Sequence, residues 1–402
     1  MSAECNTILC RYHEIATKGN NRNMFEKCLM DHLQFLLKDI PGVKAKKVRG
    51  RVWVNLADGR NFSEAELGLV REKFLHAFGL ETFSPGVMCR PDIDEIRGIV
   101  ARTSPAYFEP RMASGQAVSF RIRANRSDKR FPLTSKDIEI NLAEVIGGMY
   151  EHEKLRVDLE KADITVGCEL REEFAFVFHE TCRGPGGLPL GSNAPVLALL
   201  SGGIDSPVAC YLMMKRGCRV DFITFHSAPY TPPETLSKVR GIVEHLSKFQ
   251  GYGRLFACNL APMQKLIRDK CQPRLRTVLY RRMMLRIAEA VARRRRRFAL
   301  VTGDSIGQVA SQTIININTI NEAAKMVVLR PLVTMDKLEA IRIAERIGSF
   351  VLSKTQVPDS CTVFAPPSPA TAAHLGIVLE DEENLGDYSA LLEEIINGIE
   401  VF

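Results

Sequence analysis

The densest chemistry in this sequence is the run Ser201-Gly-Gly-Ile-Asp-Ser206, directly after the apolar stretch Val196–Leu200. Two consecutive glycines let a backbone approach an anion closely. Free amides at the start of a following helix, with the hydroxyls of Ser201 and Ser206, supply donors for phosphate oxygens. Pro207 suits a first helical turn, and Gly217 suits the end of that helix. Asp205 adds a carboxylate, which beside a polyphosphate makes sense as a magnesium ligand. A second candidate is Cys361 in Asp-Ser-Cys-Thr, a loop-like context for a thiol that must react as its thiolate.

These residues need elements to hold them. From 196 onward, apolar strands are expected at Val196–Leu200, Val220–Phe225, Leu255–Cys258, Ala299–Thr302 and Val327–Leu329, with helices between. That alternation predicts an α/β fold with a doubly wound parallel sheet, and ligands bind such sheets at the carboxyl ends of their strands. Upstream the pattern is α+β. Strands are expected at Ile8 to Cys10 and Val52 to Leu56, with a helix over Met24 to Leu37 between them. Val118, Phe120, Ile122 and Ala124 alternate with polar residues, so one strand buries this set and projects Arg121 and Arg123 from its other face. A helix follows from near Ser135. Residues 183–195, rich in Gly and Pro, read as a connection between domains.

Composition sets the class. The chain has 402 residues, 46% hydrophobic and 25% charged, enough for two or three domains with real cores. Eleven cysteines without a CxxC pair indicate reduced thiols and a cytoplasmic protein, with Cys210 and Cys218 as packing. Neither a signal peptide nor an apolar run long enough to span a membrane is expected. The formal net charge of +7 suits a polyanionic partner without proving one. Basic residues gather at Lys44, Lys46, Lys47, Arg49 and Arg51, at Arg121, Arg123, Arg126, Lys129 and Arg130, and at Arg293–Arg297. Few aromatics interleave them, which favours phosphate and shape contacts on a folded RNA. For Arg293–Arg297, a solvated helix end is an equal reading.

No GxxxxGK[ST] is present, so this is not a Walker-type site. The SGGxDS loop instead resembles the pyrophosphate-binding loop of enzymes that cleave ATP between its α and β phosphates and transfer AMP. Further segments extend the likeness: Gly186-Gly-Leu-Pro-Leu-Gly, Tyr211-Leu-Met-Met-Lys-Arg-Gly217, Arg281-Arg-Met-Met284, Thr302-Gly-Asp-Ser-Ile-Gly-Gln-Val-Ala-Ser-Gln-Thr313, Arg330-Pro-Leu-Val-Thr-Met-Asp-Lys337 and Asp359-Ser-Cys361. Together these resemble the tRNA 4-thiouridine synthase (ThiI) family. Arg11 to Arg22 resembles the family's opening, with His13 where a glycine is usual. The region around Arg121 to Asn141 is similar to a THUMP domain, a tRNA-binding module.

The resemblance implies a ferredoxin-like domain over 1–62, a THUMP domain over 63–180 and an ATP-pyrophosphatase (PP-loop) domain over 181–402. It implies ATP and Mg2+ as cofactors, and tRNA and a cysteine desulfurase as partners. Homodimerisation is compatible with it. Leu199, Leu200, Thr224 and Phe225 would line the adenine and ribose pocket, and Ser201, Gly202, Gly203, Asp205 and Ser206 would hold phosphate. Gly303 and Gln312 would approach the nucleotide, and Arg281 would grip a phosphate. Asp205 and Lys337 would serve adenylation of a uridine, and Cys361 would carry the sulfur. A short tail follows Cys361, so the form expected lacks the C-terminal rhodanese-like domain, and thiamine synthesis, associated with that domain, is not carried over. An internal thiol to release the sulfur must then come from the other cysteines, with Cys271 the candidate. Thr277-Val-Leu-Tyr280 stands where some relatives have CxxC, so no Fe–S cluster is expected. Two rivals stay open: a PP-loop enzyme acting on a different substrate, and a non-catalytic tRNA-binding protein.

Overall fold

Largely buried strand-forming runs open the chain and build one large sheet. The computed structural model describes residues 4–48, 50–113, 115–355, 357 and 363–402, in two units, Met1–Pro189 and Leu190–Phe402. The break after Pro189 falls inside the Gly/Pro-rich 183–195 stretch. There Gly186, Gly187 and Gly191 take positive φ values of 65°, 79° and 82°, a conformation a side chain disfavours.

In the first unit the strands are β1 (Thr7–Arg11), β2 (Val43–Val48), β3 (Arg51–Leu56), β4 (Thr82–Cys89), β5 (Val118–Arg126), β6 (Leu155–Val157), β7 (Ile164–Leu170), β8 (Ala175–Phe178) and β9 (Cys182–Arg183). Their order is β2-β3-β1-β4-β8-β7-β5-β6, with β9 also on β4. Strand β1 lies antiparallel between β3 and β4, whereas β5 runs parallel to β6 and β7. The helix Arg22–Leu36 buries Leu29, Leu33 and Leu36 on the expected face. Helices Glu64–Phe74 and Ser135–Gly147 each start in a capping box, Ser63 with Glu66 and Thr134 with Asp137, which satisfies amides the first turn leaves open. One core draws on residues from Cys5 to Phe83, so it continues past residue 62 through the Glu64–Phe74 helix. A second core runs from Val87 to Val177. Strand β4 contributes to both, which is why hydropathy shows no break at residue 62. His13 sits at φ −110° and ψ −63°, ordinary right-handed backbone that has no need of glycine.

The second unit is a six-stranded sheet of β10 (Val196–Leu199), β11 (Val220–His226), β12 (Leu255–Asn259), β13 (Leu300–Val301), β14 (Val328–Leu329) and β15 (Glu400–Val401), ordered β14-β13-β10-β11-β12-β15. The first five are mutually parallel, as the strand–helix alternation predicts, and β15 adds an antiparallel edge. Buried on the Arg276–Arg294 helix, Leu279, Met283, Ile287 and Val291 anchor the core. Arg282 on that helix is fully buried, and its Nη2 lies 2.9 Å from Glu382 and 2.8 Å from Glu322. Removing either acid would strand part of a buried charge. From β10 the chain moves to β11 on one side and later to β13 on the other, which makes β10 the switch point of the sheet.

Candidate active site

The switch point places the SGGIDS loop at the carboxyl end of β10. Helix Asp205–Lys215 starts within it, at its last two residues. The loop is closed on itself: the Ser206 hydroxyl accepts from the Ser201 amide at 3.0 Å and donates to the Ser201 carbonyl at 3.1 Å. The Ser201 hydroxyl accepts from the Gly203 amide at 3.2 Å. The two hydroxyls thus brace the loop, a use that residue types alone, which suggest phosphate donors, do not reveal. At Gly202 the Lys238 side chain passes 3.1 Å from where a Cβ would sit, so a larger residue there would have to displace that lysine.

A cleft of about 1110 Å³ opens above this loop, large enough for a nucleotide. All twelve residues proposed for ATP line it. Leu199 and Leu200 come from the end of β10, and Thr224 and Phe225 from β11. Ser201, Gly202, Gly203, Asp205 and Ser206 come from the loop, Arg281 from the long helix, and Gly303 and Gln312 from the chain after β13. Gly303 makes its close approach to the protein itself: a Cβ there would lie 2.8 Å from the Ser206 amide nitrogen and 2.9 Å from its Cα. The absent side chain lets the loops after β10 and β13 touch.

Asp205 and Lys337, 132 positions apart, meet at this cleft. Lys337 Nζ donates to both carboxylate oxygens of Asp205 at 2.9 Å. Lys337 is the first residue of helix Lys337–Arg346, which begins in a capping box of Asp336 with Glu339, so its Cα is firmly placed. Gln308 Nε2 also donates to Asp205 Oδ2, at 2.8 Å.

Three residues of the site escaped the sequence reading: Asp304, Lys238 and Gln308. Asp304 is 4% exposed. It accepts from Arg281 Nη2, from the Thr302 hydroxyl at 2.7 Å, from Arg330 Nε at 3.3 Å and from Gln312 Nε2 at 3.3 Å. Burial alone would raise its carboxyl, but Arg281, Thr302 and Arg330 hold it below the ordinary carboxylate range. Arg281 also reaches the Ser311 hydroxyl at 3.1 Å. Its guanidinium is therefore shared with the protein and not held open for a bidentate phosphate grip. Lys238 donates to the carbonyls of Ser353 and Thr355 at 2.9 and 2.7 Å. Asp304 and Gln308 stand inside the Thr302–Thr313 motif, which was signal enough to find them; Lys238 had none.

Cys361 lies outside the described residues, while Val357 before it and Ala365 after it both line the cleft. Cys271 is a correction. It is buried, its thiol donates to the Asp381 carbonyl at 3.4 Å, and it does not line the cleft. Burial, then Asp381 and Glu382, push that thiol up to about 12, far from the thiolate that sulfur chemistry requires. Cys210 and Cys218 are buried as expected.

In the first unit the basic strand face is built as predicted but is partly committed. Arg121 donates to the Thr165 hydroxyl at 2.9 Å and to the carbonyls of Leu159 and Glu160 at 3.1 and 3.0 Å, and Arg123 donates to the Leu159 carbonyl at 2.8 Å. Arg126 holds the carbonyls of Phe131 and Leu133 at 2.7 and 2.9 Å. Arg130 pairs with Asp128 and Glu172, and Lys129 is exposed. Lys47 pairs with the buried Glu26, and Arg49 lies outside the described residues. In the Arg293–Arg297 run the two ends are ion-paired, Arg293 to Glu289 and Arg297 to Asp221, both at 2.6 Å. Arg294, Arg295 and Arg296 are exposed.

A parallel sheet carrying an SGGIDS loop at its switch point is the ATP-pyrophosphatase (PP-loop) type of α/β domain. Family models match along the chain: the ThiI ferredoxin-like domain over residues 7–84, the THUMP domain over 91–180, and "Thiamine biosynthesis protein (ThiI)" over 191–386. A probable tRNA sulfurtransferase of Brevibacillus brevis is 38% identical over 394 residues, spanning 98% of this chain and 95% of the relative. Another, from Caldanaerobacter subterraneus, is 36% identical over 96% of this chain and 97% of its own length. Among solved structures, a 4-thiouridine synthetase–RNA complex with bound ATP superposes with a TM-score of 0.87 at 32% identity, covering 99% of both chains. The chain belongs to the ThiI family of tRNA sulfurtransferases.

Proposed function

We propose that this chain, a cytoplasmic enzyme, uses ATP to adenylate a tRNA uridine, at position 8 by family resemblance, and then replaces the activated oxygen with sulfur carried on Cys361, giving 4-thiouridine. The observation that carries the reading is that the SGGIDS loop lines the cleft and that its Asp205 is held by Lys337. The bound ATP and RNA of the similar 4-thiouridine synthetase support it.

Leu199, Leu200, Thr224 and Phe225 form the apolar end of the cleft, suited to adenine and ribose, and the loop amides suit the phosphates. Mg2+ accompanying a polyphosphate is commonly held through one or two carboxylates with phosphate oxygens completing the shell, and Asp205 fits that role. Magnesium there offsets phosphate charge. Lys337 neutralises charge that builds on the α-phosphoryl group as the uridine O4 attacks and pyrophosphate departs.

The terminal sulfur of a Cys361 persulfide then attacks C4 and AMP leaves. A second thiol attacks the Cys361 sulfur, forming a disulfide and leaving sulfur on the base. Alternatively, a reductant frees sulfide from the persulfide before the attack, and sulfide displaces AMP. A cysteine desulfurase supplies the persulfide. With Cys271 buried and no cysteine among the described residues lining the cleft, sulfur release is assigned to an external reductant or a partner's thiol. Mass spectrometry of nucleosides from tRNA incubated with the protein, ATP, magnesium and a desulfurase tests the reading. It predicts 4-thiouridine dependent on ATP. AMP formation with small acceptors but not with tRNA would overturn it.

A further inference from the structure

The amide of Gln312 is held in one polarity. Its Nε2 donates to Asp304 at 3.3 Å, and a carboxylate that is ionised offers no proton in return. Asp304 is kept ionised by Arg281 and Arg330 around it, with the Thr302 hydroxyl adding a third donor. The amide therefore cannot flip without placing its oxygen against a carboxylate. Its other end, Oε1, is buried and, among the described residues, meets no donor. Gln312 itself lines the cleft. A buried acceptor left without a donor costs free energy unless a ligand satisfies it.

We propose that Asp304 is a positioning residue that fixes Gln312 as an acceptor, and that Gln312 Oε1 takes a hydrogen bond from a donor group on the nucleoside of ATP. Adenosine offers two kinds of donor, the exocyclic amine of the base and the hydroxyls of the ribose. Both satisfy the same acceptor. The inference rests on the cleft being the ATP site. Asp304 does its work through Gln312 and touches no reacting atom.

The experiment is a set of double-mutant cycles between protein and nucleotide. Pyrophosphate release in the presence of tRNA is measured with ATP, with ITP (which lacks the amine), and with 2′-deoxy- and 3′-deoxy-ATP, for the native chain, Gln312→Met and Asp304→Asn. The native chain is expected to lose on the order of ten- to a hundredfold in kcat/KM with the one analogue that lacks the donor. Gln312→Met is expected to lose about as much with ATP, and no more with that analogue. The two losses are then non-additive, which a purely structural role for Gln312 would not produce. In Asp304→Asn the carboxylate that fixes the amide is gone, so discrimination against the same analogue should weaken. Additive losses with all three analogues in Gln312→Met overturn the proposal, whether or not Asp304→Asn folds. A folded Asp304→Asn with full discrimination overturns the positioning role. Failure of the native chain to release pyrophosphate with any nucleotide would instead sink the proposed function.

Discussion

Lys337 Nζ sits 2.9 Å from each carboxylate oxygen of Asp205, a residue of the cleft lining, and joins the first residue of one helix to the first residue of another. Neither residue is deeply buried, with side-chain exposures of 44% and 19%, so the pair contributes little to stability. Its value lies in the cleft. Asp205→Asn keeps the shape and removes the charge. AMP formation should fall by orders of magnitude, on the scale of lost electrostatic stabilisation at a phosphoryl group, while tRNA binding survives. Pyrophosphate release and filter binding of tRNA measure the two separately.

Gly303→Ala tests the contact between the loops after β10 and β13. A Cβ 2.8 Å from the Ser206 amide nitrogen has only backbone to push against. The variant should lose roughly 1–3 kcal/mol of stability and a larger share of its ATP-dependent activity, because the displaced segment is the SGGIDS loop. A thermal melt beside an AMP assay reports both.

His179 gives the first unit a pH dependence. It is 7% exposed, stacks on Tyr107 at 4.8 Å and lies 3.0 Å from the Ser104 hydroxyl. Burial pushes its imidazole down to about 4, from 6.5 in an unfolded chain. The unfolded state therefore binds the proton first as pH falls. The stabilisation is fully present above about 6.5 and drains away as pH drops toward 4. Between pH 7 and 5 the loss should be about 2 kcal/mol. Urea unfolding followed by fluorescence of Trp53, the single tryptophan, checks it, and His179→Gln should flatten the dependence.

The basic face of β5 gives a salt-dependence prediction. Replacing Arg121 and Arg123 with Ala should weaken tRNA binding and reduce the slope of log K against log salt by about 0.7–0.9 for each phosphate no longer neutralised. Arg121 also braces the carbonyls of Leu159 and Glu160, and Arg123 that of Leu159, so a melt must accompany the titration. An unchanged slope would mean these guanidiniums serve the loop alone.

The parallel sheet was legible because each strand's apolar run and its following helix are local signals. Pairings such as Asp304 with Arg281 or Lys238 with Thr355 were not, since they depend on which segments distant in sequence the fold brings together. The same distinction explains the serines of the SGGIDS loop: composition marks them as donors, but only geometry shows that Ser206 spends its hydroxyl on Ser201. Edge strand β15, two residues of Glu-Val at the chain's end, has no periodicity to detect. Cys271 was misplaced because proximity in sequence to Arg281 said nothing of its burial under Asp381. Within the first unit, β4 serves two cores, so no composition change marks where one ends.

In the proposed reaction Cys361 carries the sulfur while the cleft performs the adenylation. Cys361→Ser separates the two steps, since an alcohol cannot hold transferable sulfur. Incubated with tRNA, ATP, magnesium and a desulfurase, the variant should still release pyrophosphate at near the native rate and yield no 4-thiouridine by nucleoside mass spectrometry. Formation of 4-thiouridine by Cys361→Ser at the native rate would refute the carrier role, and would mean that sulfide reaches the activated base without passing through this residue.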